Sequence, residues 1–160
     1  MGWRGIKQIL RNPETYMLLG EYRHTLDDKN RVSLPAKFRK ELGKKVIITR
    51  GLDRCLSVYS MAEFKNFSED LTQQTRFNQS NSRAYDRFIA SGAIETDVDS
   101  AGRILIPDFL KQYGNLGNKI IVAGVRNRLE LWNEDMWDSY IQQVEGDIAL
   151  LAEQLDQSKK

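Results

Sequence analysis

The chain has 160 residues, of which 41% are hydrophobic and 29% charged, and this balance is typical of a folded globular protein. Its single cysteine, Cys55, excludes an intrachain disulfide, and we expect a cytoplasmic protein. No run of residues approaches the ~20 apolar residues of a membrane span, so we expect no membrane partner. Residues 17–65 hold eleven basic and six acidic side chains, whereas residues 66–160 hold ten basic and fifteen acidic side chains. The basic first half suits an anionic partner, although a solvated surface of mixed charge explains the same distribution.

The first predicted elements follow an N-terminal extension, residues 1–16, which we expect to be flexible. A first unit, residues 17–64, reads as a strand at 19–26, a tight turn at 28–30, a strand at 31–34, a helix at 36–42, and strands at 46–49 and 56–59. A helical connector, residues 65–92, continues a helix that Ser60 caps, breaks in the polar stretch 73–82 and resumes over 82–91.

The second unit, residues 93–137, repeats this order of elements. It reads as a strand at 93–98, a turn at 100–102, a strand at 103–106, a helix at 108–113, and strands at 119–123 and 128–132. A last helix begins at Glu134, after a cap at Asn133, and runs to about residue 154 within a C-terminal helix and tail, residues 138–160.

An internal repeat underlies both units. Residues 26–38 read LDDKNRVSLPAKF and residues 98–110 read VDSAGRILIPDFL, so Asp27, Arg31 and Pro35 recur 72 residues later. Four short strands per copy cannot close a core alone, but two copies can cover each other. We therefore predict an α+β, β-rich fold, in which two tandem repeats form one pseudo-twofold barrel with peripheral helices.

The spacing Asp-x-x-x-Arg is the most distinctive feature of the repeat. An Asp that begins a turn can cap its own backbone and pair with the Arg across the hairpin, and for the second copy we favour this structural role, which covers Asp99, Arg103 and Pro107. In the first copy further cations surround the turn, and a cationic hairpin can contact phosphates and offer a guanidinium fork to guanine. The candidate DNA-binding residues are Lys29, Asn30, Arg31, Lys37 and Arg39.

Other conspicuous residues favour structural roles. Trp132 and Trp137 occupy repeat positions held by Tyr59 and Phe64, which indicates core packing rather than base stacking. With one Cys and one His, His24, the chain has no His/Cys metal cluster, and its paired carboxylates have no partner base or nucleophile. We therefore predict no enzyme, no catalytic residue, no metal, no cofactor and no small-molecule substrate.

The two motifs, with the MLLGEY segment that precedes the first, resemble the MraZ family over about residues 17–140. Members of that bacterial family carry two tandem AbrB-like (SpoVT/AbrB) units, each with a D-x-x-x-R-x-x-x-P motif. The resemblance implies a swapped-hairpin fold and a nucleoid-associated transcriptional regulator of the division and cell-wall gene cluster. It also implies ring-shaped homo-oligomers that bind direct repeats in promoter DNA. By the same motif, the DNA contact falls on Arg31, with Lys29 beside it.

Two alternatives remain open at this point. The chain could be an AbrB-like antitoxin, or an oligomeric scaffold in which the basic half only keeps the ring soluble. An affinity for duplex DNA that falls steeply as salt rises would favour the regulator. Absence of DNA binding at low salt would favour the scaffold. Residues 1–16 precede the point where proteins of this kind usually begin.

Overall fold

The computed structural model describes residues 17–74 and 79–159, so the extension 1–16 and part of the predicted break lie outside the described residues. The strands are β1 (Leu18–Thr25), β2 (Arg31–Ser33), β3 (Lys45–Arg50), β4 (Leu56–Ser60), β5 (Ile94–Asp97), β6 (Arg103–Leu105), β7 (Lys119–Arg126) and β8 (Leu129–Asn133). The helices are α1 (Ala36–Leu42), α2 (Met61–Gln74), α3 (Ser80–Gly92), α4 (Asp108–Tyr113) and α5 (Glu134–Gln157).

Six of these strands form one antiparallel sheet in the order β1-β7-β8-β4-β3-β5. The hairpin β7–β8 of the second copy lies between β1 and β4 of the first, and the hairpin β3–β4 lies between β8 and β5. If each strand is replaced by its counterpart in the other copy (β1 by β5, β7 by β3, β8 by β4), the same order is obtained, read from the opposite edge. A pseudo-twofold axis therefore passes between β8 and β4. The predicted α+β fold of two interleaved repeats is confirmed.

The two remaining strands, β2 and β6, pair antiparallel with each other and form a separate two-stranded ribbon. Each strand comes from the motif of one copy. The ribbon lies on the same pseudo-twofold axis as the sheet, because exchange of the copies also exchanges β2 with β6. Each ribbon strand therefore has its strand partner in the other copy.

One hydrophobic core is shared by both copies. Matching positions enter it in pairs: Val32 with Ile104, Leu34 with Ile106, and Phe38 with Leu110. Phe38 is fully buried, and its ring meets Tyr22 edge-on with 5.2 Å between ring centroids. Since truncation of a buried Phe to Ala costs about 3–5 kcal/mol, side chains of both copies contribute substantially to the stability of this shared core.

The end of β7 differs from the sequence prediction. The predicted strand stops at Ala123, whereas β7 continues to Arg126 because β1 pairs with it along its whole length, up to Leu18 opposite Arg126. Gly124 permits this close approach, since a Cβ there would lie 2.5 Å from the backbone of Leu18 and Leu19.

The predicted helix caps are confirmed. The Oγ of Ser60 accepts from the amide of Glu63 at 3.1 Å, and the Oδ1 of Asn133 accepts from the amide of Met136 at 3.0 Å. Helix α3 begins two residues before its predicted start, and α5 ends at Gln157, beyond the predicted 154. No helix in residues 17–74 and 79–159 is long and apolar enough to cross a bilayer.

A smaller cluster explains the tryptophans of the second copy. Trp132 is buried with Cys55, Ile121 and Ala123, and Trp137 packs against that group with 5.3 Å between the two indole centroids. The prediction that these two rings serve packing is confirmed.

Candidate nucleic-acid interface

The first motif hairpin is organised by the carboxylate of Asp27. Its Oδ1 accepts from the amides of Lys29 at 2.9 Å and Arg31 at 2.8 Å, and its Oδ2 accepts from Nε of Arg31 at 2.8 Å. The backbone closes the same turn, because Asn30 donates to the carbonyl of Asp27 at 3.0 Å. One side chain thus shapes the turn and also orients the guanidinium group.

The second motif hairpin has the same geometry. The Oδ1 of Asp99 accepts from the amides of Ala101 and Arg103, both at 2.9 Å, and its Oδ2 accepts from Nε of Arg103 at 2.9 Å. The proposed structural role of the Asp, to cap its turn and pair with the Arg, therefore applies to both copies.

Both carboxylates are held in the charged form. Hydrogen bonds from the amide of Arg31, and then from its side chain, lower the pKa of Asp27 below its ordinary value. The same bonds from Arg103 lower the pKa of Asp99. At neutral pH each arginine therefore faces a full negative charge on its Nε side, and this charge fixes the orientation of the guanidinium plane.

The ribbon brings the two arginines to one surface. In its register, Arg31 lies opposite Leu105, Val32 opposite Ile104, and Ser33 opposite Arg103. Val32 and Ile104 are fully buried, so the alternate positions face outward. Only Nε of each guanidinium is bound within residues 17–74 and 79–159, which leaves the terminal nitrogens of both arginines available for a ligand.

Each motif turn is held by a helix of the other copy. Asn30 has a φ of 59°, its Oδ1 accepts from Nζ of Lys111 at 2.9 Å, and its Nδ2 donates to Oδ1 of Asp108 at 3.2 Å. Its carbonyl also accepts from the amide of Ile106 at 2.8 Å. Helix α4 of the second copy therefore positions the turn that carries the first motif.

The matching contact in the other direction joins Arg39 to Gly102. Gly102 has a φ of 79°, and a Cβ added there would lie 2.3 Å from Cδ and Nη1 of Arg39. Glycine adopts this left-handed backbone without strain, and its missing Cβ leaves room for the side chain of Arg39. Arg39 is thus packed on the second turn, and its buried Nε has no hydrogen-bond partner in the described part of the chain.

The candidate residues accordingly fall into two groups. Lys29 and Lys37 are exposed, and the side chain of Arg31 is 28% exposed, so these three can reach a ligand directly. Asn30 and Arg39 are engaged with the second copy. The assignment of all five to DNA stays a prediction. Pro107, like Pro35, precedes its helix, and its carbonyl accepts the first helical hydrogen bonds.

Sequence reasoning missed the apolar part of this surface. Leu105, two residues after Arg103, is 52% exposed, and Phe109, in the first turn of α4, is 42% exposed. The signal was present in the repeat, because these two residues align with the polar Ser33 and Lys37 of the first copy. The two halves of the surface therefore differ in chemistry although they share a backbone.

The described residues show neither a metal-ligand cluster nor an exposed thiol. No group of three or more His, Cys, Asp or Glu side chains in residues 17–74 and 79–159 could hold a metal ion. Burial raises the pKa of the Cys55 thiol, whose Sγ donates to the carbonyl of Leu52 at 3.0 Å. The thiol is therefore protonated and inert at neutral pH.

Comparison with known proteins finds the same two-unit organisation. The sequence pattern of the family described as "MraZ protein, putative antitoxin-like" matches residues 17–88 and matches again at residues 89–157. A solved structure from Pyrococcus horikoshii covers 71% of this chain and 95% of its own, but its 17% identity and TM-score of 0.32 are too low to support an argument.

Curated relatives match most of the chain. A protein of Caldanaerobacter subterraneus named "Transcriptional regulator MraZ" is 44% identical over 88% of this chain and 97% of its own length. A protein of the same name from Natranaerobius thermophilus is 45% identical over 87% of this chain and 96% of its own length. Another, from Caldicellulosiruptor saccharolyticus, is 47% identical over 76% of this chain and 84% of its own length. The similarity therefore extends across both repeats.

Proposed function

The chain belongs to the MraZ family, and on this premise we propose that it is a transcriptional regulator that binds double-stranded DNA sequence-specifically through the β2–β6 ribbon. The name of its relatives supports regulation of transcription. The observation that carries the DNA-binding step is the outward ribbon face, on which Asp27 and Asp99 orient two guanidinium groups whose terminal nitrogens are free of bonds to described residues.

Arg31 is proposed as the residue that contacts bases. With Nε bound by Asp27, its two terminal nitrogens form a fork that matches the O6 and N7 acceptors of guanine in the major groove. A two-stranded ribbon is narrow enough to enter that groove. Lys29 and Lys37 are exposed on the same unit and suit phosphate contacts, while Asn30 and Arg39 keep the two turns in place.

We further propose that the protein acts as a ring-shaped homo-oligomer on promoter direct repeats of the division and cell-wall gene cluster, including those upstream of its own gene. A three-residue ribbon strand offers few contacts, too few for tight specific binding by itself. Several copies in one assembly raise the effective concentration for each contact after the first. Evenly spaced repeats in DNA are the natural match for such an assembly.

A second candidate function is that of an AbrB-like antitoxin, or of a scaffold that does not bind DNA. The family description includes the words "putative antitoxin-like". Helix α5 also leaves large apolar side chains exposed in its second half: Ile148, Leu150, Leu151 and Leu155. An exposed apolar helix face suits a protein partner, whether a second copy or another chain.

The two candidates are separated by binding to duplex DNA from the region upstream of the gene. The regulator requires protection of short repeats in that fragment, with an affinity that falls steeply as salt rises because phosphates are neutralised. Scrambled DNA of the same length is the control. Absence of binding at low salt, or equal binding to the scrambled fragment, would contradict the proposal and favour the antitoxin or scaffold.

A further inference from the structure

The outward face of the ribbon is chemically asymmetric. Arg31 lies opposite Leu105, whereas its counterpart Arg103 lies opposite Ser33. A second difference follows in the short helix after each motif, where the exposed Phe109 of the second copy takes the place of Lys37. Only one of the two motif arginines therefore has an apolar side chain directly across the ribbon.

We propose that Leu105 is a specificity-determining residue that contacts the C5 methyl group of thymine beside the base bound by Arg31. This inference rests on the proposed DNA-binding function and adds a second base identity to it. In the major groove the methyl group of thymine is the one apolar feature that a base pair presents, and aliphatic side chains contact it. Leu105 lies on the outward face of the ribbon together with Arg31. When a two-stranded ribbon lies in the major groove, side chains on one of its faces contact the base edges, and we assign that role to this face.

The surroundings of Leu105 favour DNA over a protein as its partner. Arg31 lies across the ribbon from it, and Arg103 precedes it by two residues on the same strand face. An apolar side chain between two guanidinium groups suits DNA, because DNA is an anion whose major groove also presents the apolar methyl groups of thymine. The exposed apolar side chains of α5 form a larger surface in a helix without basic residues, and that surface is the better place for a protein contact.

The test compares upstream duplex DNA with the same duplex in which deoxyuridine replaces thymine, a change that removes only the C5 methyl groups. We expect the parent chain to bind the substituted duplex about fourfold more weakly per engaged ribbon, the effect of withdrawing one buried methyl group. In Leu105→Ser, which copies Ser33 of the first repeat, the two duplexes should bind equally. Leu52→Ser, which changes an exposed leucine in the β3–β4 turn, is the matched control and should keep the full difference.

Each other outcome overturns the inference in a recognisable way. If the parent distinguishes upstream from scrambled DNA but ignores the methyl groups, or if Leu105→Ser keeps the same methyl dependence, Leu105 does not read thymine although the proposed function stands. A smaller assembly for Leu105→Ser would assign the residue to a subunit contact instead. A parent chain that binds no duplex specifically would contradict both proposals.

Discussion

Replacement of Arg31 by lysine separates the shape of the guanidinium group from its charge. Lysine keeps the positive charge but has neither the Nε–H that binds Asp27 nor the planar fork. A bidentate contact between arginine and guanine contributes about 1–3 kcal/mol of base discrimination. We therefore expect Arg31→Lys to weaken binding to upstream DNA by about 5- to 150-fold per ribbon contact, with little change on scrambled DNA.

The assay measures equilibrium binding to both duplexes over a salt series, with thermal unfolding as the test of folding. Arg31→Ala should abolish specific binding but leave the salt slope nearly unchanged, because this side chain is assigned to a base and not to a phosphate. Arg87→Lys on α3, where the arginine is exposed, is the matched control and should behave like the parent. The reasoning is wrong if folded Arg31→Lys binds the upstream fragment as tightly as the parent at equal salt.

Three further changes test the hairpins. Arg103→Ala should lower the thermal midpoint about as much as Arg31→Ala, because the two Asp–Arg pairs have the same geometry, but it should lower the DNA affinity less, because its turn carries no other cation; equal loss of affinity would refute this. Gly102→Ala should lower the free energy of unfolding by at least about 1–2 kcal/mol, because alanine strains the left-handed backbone. The loss should be smaller when Arg39 is also replaced by alanine; if denaturant unfolding shows that the two substitutions are strictly additive, Arg39 does not contact Gly102. Asp99→Asn should lower the midpoint at neutral pH. Since hydrogen bonds from the amide and then the side chain of Arg103 hold the native pKa of Asp99 below its ordinary value, the difference should shrink between about pH 5 and pH 2; a pH-independent difference would contradict the charged carboxylate in the turn.

Local features of this chain were predictable because they depend on residues close in sequence. The helices α1 and α4 begin and end where the sequence places them, since Pro35 and Pro107 fix the first turn of each. The positive φ angles of Asn30 and Gly102 follow from the same turn chemistry. The repeat itself indicated two copies that pack by pseudo-twofold symmetry, because one copy lacks a closed core, and the family resemblance implied their swapped hairpins.

The contacts between the copies were not predictable, because no local pattern encodes them. Nothing in the sequence pairs β2 with β6, so the presence of Arg31 and Arg103 on one surface became visible only in the structure. The same holds for Arg39, which reads as an exposed cation on a short helix but packs on a turn 63 residues away, at Gly102. The length of β7 likewise depends on its partner β1.

The central claim, that the β2–β6 ribbon is the surface that meets DNA, can be tested by cleavage from a tethered reagent. Cys55 is buried, so Asp28→Cys at the exposed tip of the first turn gives the chain one accessible thiol, to which an iron chelate that generates hydroxyl radicals can be attached. A chelate at Leu150→Cys on α5 is the control. We expect Asp28→Cys to cut upstream DNA at sites that repeat with the spacing of its direct repeats, and Leu150→Cys to cut little. Cleavage from α5 alone, or equal cleavage from both positions, would contradict the account.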